Sequence, residues 1–263
     1  PMEPSELVIG TICGGSDATS GLTGNPAAGR AFDRFVTEGA TCIFEETGEL
    51  IGCEHVMAAR ASTTALRTEL IATVTKAERY YAAMGYGSFS QGNGTGGLST
   101  IEEKSLGAYA KSGDSEICGI LRPAERAATG GLYLLDVVPN GAPKFGFPNI
   151  NDTAEIIELI SCGAHAMIFV TGRGSVVGSA ISPVLELCAN PDTYARMSED
   201  MDVNAGRILT GHANLSEVGD EIYNKLVALG TGEMTASEEL GHTEFVFTYK
   251  NPTQADPGCH TAT

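Results

Sequence analysis

Lysine and arginine are scarce in this chain: 16 of them stand against 33 aspartates and glutamates, a formal charge of −17 over 263 residues. No basic cluster exists to neutralise phosphates, which argues against nucleic acid as a partner. The same excess repels anionic membrane surfaces, and no apolar run approaches the length of a spanning helix. The seven cysteines form no CxxC pair and no finger-like spacing. An odd count scattered through apolar runs reads as reduced, mostly buried thiols of a cytoplasmic protein. Neither a Rossmann nor a P-loop phosphate fingerprint is present, so no nucleotide is implied. A Gly-x-Ser-x-Gly elbow and a Cys/His nucleophile pattern are also missing. What remains is an ordinary globular composition, 42% apolar and 19% charged, long enough to bury a core. A small anionic substrate would need local positive potential from a few Arg or Lys residues, helix N-termini or a metal ion.

Strands and helices alternate along the chain. Strands are predicted at Glu6 to Ile12, Thr41 to Phe44, Ile117 to Leu121, Leu132 to Val138, His165 to Thr171, Val184 to Cys188 and Phe245 to Tyr249. Helices are expected after Asn25-Pro26 up to Gly39, from Thr63 to Met84, and after the capping box Ser99-Thr100-Ile101-Glu102 up to Gly113. Further helices follow Asp152, Asn190-Pro191 and the stripe Val218, Ile222, Leu226, Leu229. Gly85 to Gly97 holds six glycines in thirteen residues, too flexible for regular structure, and Pro139 to Asn149 reads as a surface connection. The pattern is α/β, a Rossmann-like, largely parallel or mixed sheet flanked by helices. Residues 1–250 read as one domain and 251–263 as a frayed tail. A strand so close to the non-Met start Pro1-Met2 is expected of a piece of a longer protein.

Ligands of such sheets gather at the carboxyl ends of the strands. Two glycine turns have the right form: Cys13-Gly14-Gly15-Ser16-Asp17, and Thr171-Gly172-Arg173-Gly174-Ser175. Each could cradle a carboxylate through backbone N–H groups, the second with a guanidinium besides. The densest acidic cluster is Glu45, Glu46, Glu49 and Glu54, followed by His55; carboxylates plus imidazole could hold a divalent metal or supply a base. Asp200 and Asp202 form a second acidic candidate. Lys104, in the first turns of the Ser99-capped helix, would matter only if it pointed inward. His165 reads as a structural histidine, and His212, His242 and His260 carry no constellation.

With these motifs laid out, the chain resembles the C-terminal portion of the galactarate/altronate dehydratase (UxaA) family and its sulfo-lyase relatives. The resemblance rests on Cys13-Gly14-Gly15-Ser16-Asp17, Ser20-Gly21-Leu22-Thr23-Gly24-Asn25-Pro26, Glu46-Thr47-Gly48-Glu49, and Gly52-Cys53-Glu54-His55. It continues in Gly96 to Gly107, Thr171 to Ser175 and Asp200 to Gly206, in family order. The resemblance implies a metal-dependent lyase, typically iron(II)-activated, that removes water from a sugar acid or sulfite from sulfolactate. It also implies a preceding N-terminal domain or subunit on which the active site draws, and a homo-oligomer is expected. Glu46, His55, Lys104 and Arg173 are then the expected catalytic residues, and Glu46, Glu49 and His55 the expected metal ligands, with Asp200 and Asp202 as alternatives. Cys13 to Asp17, Thr171, Gly172, Gly174 and Ser175 are expected to bind substrate. The stretches Gly131 to Val138 and Leu240 to Phe245 look closer to sulfolactate sulfo-lyase large subunits. The alternative is a non-catalytic sugar-acid-binding or assembly subunit.

Overall fold

The computed structural model describes residues 2–83, 91–140 and 151–246. Its centre is a seven-stranded sheet in the order β3-β4-β2-β1-β5-β6-β7, formed by β1 (Val8–Cys13), β2 (Thr41–Phe44), β3 (Ile117–Leu121), β4 (Gly131–Leu135), β5 (Ala166–Thr171), β6 (Val184–Cys188) and β7 (Val203–Asn204). Every pairing is parallel. The sequence reason is visible in β2, β4, β5 and β6, which are buried along their whole length. Continuous apolar runs suit strands covered on both faces, whereas an exposed face would demand alternation.

One face carries α1 (Gly24–Thr37), α2 (Glu54–Ala58), α3 (Thr64–Ala83) and α8 (Leu215–Leu229), whose apolar stripes join Ile9, Phe44, Ile168 and Leu187 in the larger core. The other face carries α6 (Asp152–Ser161) over Ile12, Ile43, Met167 and Phe169. Shorter helices complete the chain: α4 (Gln91–Thr95), α5 (Ile101–Tyr109), α7 (Pro191–Arg196) and α9 (Ala236–Glu239). α1 and α8 are joined by Phe35 against Tyr223, ring centroids 4.4 Å apart, with the Arg34 guanidinium stacked over the same tyrosine.

Chain order fixes where a ligand can enter. From β1 the chain moves to β2 on one side, and β5 later takes the place on β1's other side. The two turns leaving β1 and β5 therefore lie side by side at the carboxyl edge of the sheet, the edge where open α/β sheets bind ligands.

Several boundaries differ from the sequence reading. Asn25 is inside α1 rather than its cap; Thr23 holds that position without a side-chain bond. Asn151, not Asp152, caps α6 by accepting from Ala154 N–H. The capping motif at α5 is one residue later than expected: Thr100 accepts from Glu103 N–H, while the Glu103 carboxylate accepts from Ser99. The glycine-rich stretch contains the short α4, which a glycine count does not foresee. Phe245 and Val246 form no strand, and 247–249 lie outside the described residues, as do 251–263 and 141–150. Asn190 caps α7 as predicted, accepting from Asp192 and Thr193 N–H.

Candidate functional site

The two glycine turns meet, and they meet by locking together. Gly15 C=O accepts the N–H groups of Gly172 at 3.0 Å and Arg173 at 2.9 Å, and Gly15 N–H donates to Ser175 Oγ at 2.6 Å. Gly14 N–H donates to Val170 C=O at 2.8 Å. Gly174 and Ser175 N–H both donate to Thr171 Oγ1, at 3.0 and 3.1 Å. Glycine is required here by contact. A Cβ on Gly14 would lie 2.3 Å from Phe169 and Ser175, and one on Gly172 would lie 2.1 Å from the Asp17 carboxylate. The expected amide cradle is thus corrected in its mechanism: these donors are spent on each other, because neighbouring turns satisfy their own backbone first. Arg173 is exposed, with its stem against Gly15. Asp17 is buried and accepts from Thr19 N–H at 2.8 Å and Asn190 Nδ2 at 2.8 Å, a structural set of bonds.

Ser16 is different. It is 2% exposed and, among the described residues, its Oγ has no hydrogen-bond partner. It lines a cleft of ≈ 230 Å³ together with Asp17, Leu22, Asn25, Lys104 and Leu106.

Beneath these turns lies a buried polar centre. Cys13 ends β1, and Glu46 and Glu49 follow β2, the latter in a short helical turn, Thr47–Leu50. The Cys13 sulfur and one carboxylate oxygen from each glutamate lie within 4.8 Å of one another, all three residues buried. Glu46 has φ 77°, a left-handed backbone that costs a non-glycine residue roughly 1–3 kcal/mol. That strain aims its carboxylate back at β1, where it accepts Cys13 N–H at 3.0 Å. Two lysines compensate the acids. Lys104, inward on α5, is ion-paired with Glu49. Lys111, fully buried in the turn Ala110–Ser112, is ion-paired with Glu46, and its Nζ lies 2.9 Å from Cys13 Sγ. Asn25 completes the surroundings, its Oδ1 accepting from the Cys13 thiol at 3.6 Å and its Nδ2 donating to Gly107 C=O at 2.9 Å.

The electrostatics follow from this packing. Burial opposes the Lys104 charge, but the charges of Glu49 and Cys13 and the bond to Glu49 outweigh it, so its pKa lies above the ordinary lysine value. Burial, then the charges of Glu155 and Glu49, push the Tyr81 phenol far up, so it remains protonated. Asp152 at the start of α6 is also raised, by burial and then by Glu49. Elsewhere, burial followed by the Glu54 charge pushes the Cys53 thiol up to about 11, the behaviour of an inert structural cysteine.

The expected residues therefore divide. Glu46, Glu49, Lys104, Cys13 and Ser16 converge on one corner. His55 does not: it is exposed on α2 and takes no part in the three-donor group, because the short helix turns it to solvent. Asp200 and Asp202 do not join the group either; Asp202 accepts Glu186 N–H at 2.7 Å and Ala236 N–H at 2.9 Å, tying α9 to β6. His165 is structural, its Nδ1 accepting Val8 N–H at 3.0 Å. Sequence reasoning missed Lys111 and Asn25. Lys111 had a signal, since it lies seven residues after Lys104 and so on the same face of a continued helix. Of the six described cysteines, all are free and five are buried.

The family profile described as D-galactarate/Altronate dehydratase, C-terminal, matches residues 4–253. The chain belongs to that family. It is 38% identical to the (2R)-sulfolactate sulfo-lyase subunit beta of Chromohalobacter salexigens over 94% of this chain and 62% of the relative. It is 33% identical to the altronate dehydratase of Escherichia coli, over 90% of this chain and 46% of the relative. To the galactarate dehydratase (L-threo-forming) of the same organism it is 34% identical, over 90% and 44%. The chain thus spans roughly half to three fifths of these curated relatives. Among the described residues, no helix is long and apolar enough to cross a membrane.

Proposed function

We propose that this chain is the C-terminal part of a metal-dependent lyase that eliminates water or sulfite from a 2-hydroxy acid to give a 2-keto acid. The observation that carries the reading is the buried Cys13, Glu46 and Glu49 group with its two lysines, beside a cleft between the loop after β1 and α5. Isolated buried charges are too costly to persist without a role or a partner. A sulfur beside carboxylate oxygens, donors of mixed softness, fits a transition-metal dication such as iron(II) better than calcium or magnesium. Cys13 and Glu46 would hold it, with Glu49 left beside it as the base, and when bound it would supply Lewis-acid charge for the developing enolate.

The chain's own residues do the rest. Lys104, which lines the cleft, holds the substrate carboxylate, and the unpartnered Ser16 Oγ–H donates to a neighbouring oxygen. Glu49, paired with that same lysine, takes the proton beside the carboxylate. The leaving group departs from the next carbon, and the enol then ketonises. The higher identity to the sulfo-lyase subunit makes sulfolactate the first substrate to test. The test is to incubate the natural full-length protein and iron(II) separately with sulfolactate, altronate and galactarate, following 2-keto acid and sulfite. Keto acid from none of the three refutes the reading; binding of a sugar acid without turnover would favour a non-catalytic binding subunit.

A further inference from the structure

Lys104 and Lys111 sit in different surroundings. Lys104 lines the ≈ 230 Å³ cleft and pairs with Glu49. Lys111 is fully buried and lines neither that cleft nor the ≈ 400 Å³ one bounded by Arg60 and Tyr109. Its Nζ lies 2.9 Å from Cys13 Sγ and is ion-paired with the Glu46 carboxylate. These are the two residues proposed above to hold the metal. A lysine with no face toward substrate is not explained by substrate binding. The turn that carries it is fixed on both sides. Arg60 donates to Ser112 Oγ at 2.9 Å and to Ser112 C=O at 3.1 Å. A Cβ on Gly29 would lie 2.3 Å from Ala110 C=O, so the turn rests directly on α1. The movable part is the side chain alone, a flexible four-carbon stem ending in a compact charge.

We infer that the Lys111 ammonium and a divalent cation are alternative occupants of the Cys13–Glu46 donor pair, so that Lys111 limits metal affinity and swings aside as the ion enters. The inference rests on reading Cys13 and Glu46 as metal ligands of the lyase. Both cations need the same sulfur and the same carboxylate. Two positive charges at one carboxylate repel each other, most strongly in a dry interior. The charge count points the same way. Glu46 and Glu49 are already matched by Lys111 and Lys104. A dication added to all four brings two more positive charges, of which an ionised Cys13 sulfur offsets only one, and buried charge without compensation is costly. Withdrawal of Lys111 hands its partners to the incoming ion. Lys111 is on this account a positioning residue: it keeps both ligands together and compensated, and it raises the threshold for metal entry.

Metal affinity tests this without a turnover assay. The natural full-length protein, stripped with a chelator, is titrated with cobalt(II) as the parent, as Lys111→Met and as Lys104→Met, which removes an equal charge from Glu49 instead. Competition predicts that Lys111→Met binds cobalt at least about tenfold more tightly than the parent, with a smaller gain in Lys104→Met. Saturating cobalt should also raise the urea midpoint of Lys111→Met by more than that of the parent, because the ion replaces the lost cation. A merely structural lysine gives the opposite sign, weaker binding in the variant. Unchanged or weaker affinity in Lys111→Met, or an equal gain in Lys104→Met, overturns the proposal. Should Lys111→Met fail to fold, Lys111→Gln, whose amide can still donate to Glu46, carries the same comparison. Cobalt held through sulfur with no gain in the Lys111 variant sinks the competition and leaves the metal centre standing. No cobalt at the centre in the parent or any variant sinks both.

Discussion

Two acidic clusters occupy the two halves of this sheet, and they are built in opposite ways. On the β1/β2 side, Glu46 and Glu49 are buried beside Cys13 and each is neutralised by a buried lysine. On the β6/β7 side, Glu186 is equally buried, yet among the described residues neither it nor Asp202 forms an ion pair. Backbone amides serve instead: Val177 N–H donates to Glu186 at 2.9 Å, and Glu186 and Ala236 N–H donate to Asp202. The consequence is a difference in protonation. Burial, only partly relieved by the Val177 bond, pushes Glu186 well above the ordinary glutamate value, whereas in the first cluster the neighbouring acids raise Lys104 above the ordinary lysine value. An acid tied to backbone amides is a packing device. A set of paired, aimed charges at a crevice can exchange partners with a metal or a substrate.

The comparison can be broken in four ways, beginning with the largest effect. Glu46→Gln or Glu49→Gln in the full-length protein should cost at least ~100-fold in turnover; near-normal turnover in both would remove the first cluster from the chemistry. Lys111→Met leaves the Glu46 carboxylate buried without its cation and should destabilise by about 3–5 kcal/mol, read as a lowered urea midpoint; an unchanged midpoint would mean the pair is not buried as described. The third concerns pH. An unfolded glutamate releases its proton near the ordinary value of 4.5 while folded Glu186 retains it. Folding stability should therefore fall as pH rises above 4.5, through the window up to the elevated folded value, by at most about 1.4 kcal/mol per unit. Glu186→Gln should flatten that slope in unfolding curves taken at successive pH values; a steeper slope would reverse the assignment. Last, His55→Ala should change stability by no more than about 0.5 kcal/mol, as expected of an exposed side chain, and leave metal binding intact; weakened binding would restore His55 to the site.

The fold was legible because its signals are local. Buried runs such as Cys42-Ile43-Phe44 and Met167-Ile168-Phe169-Val170 announce parallel strands, and glycine turns mark the strand ends. The site was legible only in part. Glu46, Glu49 and Lys104 could be named from an acidic loop and a capped helix. That His55 faces solvent depends on the rotation of a five-residue helix, α2, which no periodicity fixes over so short a span. Lys111 enters the site through tertiary packing of the turn after α5 onto α1, a long-range contact that spacing hints at without specifying. The amide cradle is reduced for a related reason: each turn alone offers free donors, and only the meeting of Gly15 with Gly172, Arg173 and Ser175 occupies those of Gly15, Gly172 and Arg173.

Cobalt titration is the most direct test of the centre, because thiolate ligation to cobalt(II) gives a sulfur-to-metal charge-transfer band that none of the other donors produces. The account predicts one such band at stoichiometric cobalt, lost in Cys13→Ser, weakened in Glu46→Gln and unchanged in His55→Ala. A band that persists in Cys13→Ser, or none in the parent protein, would contradict it.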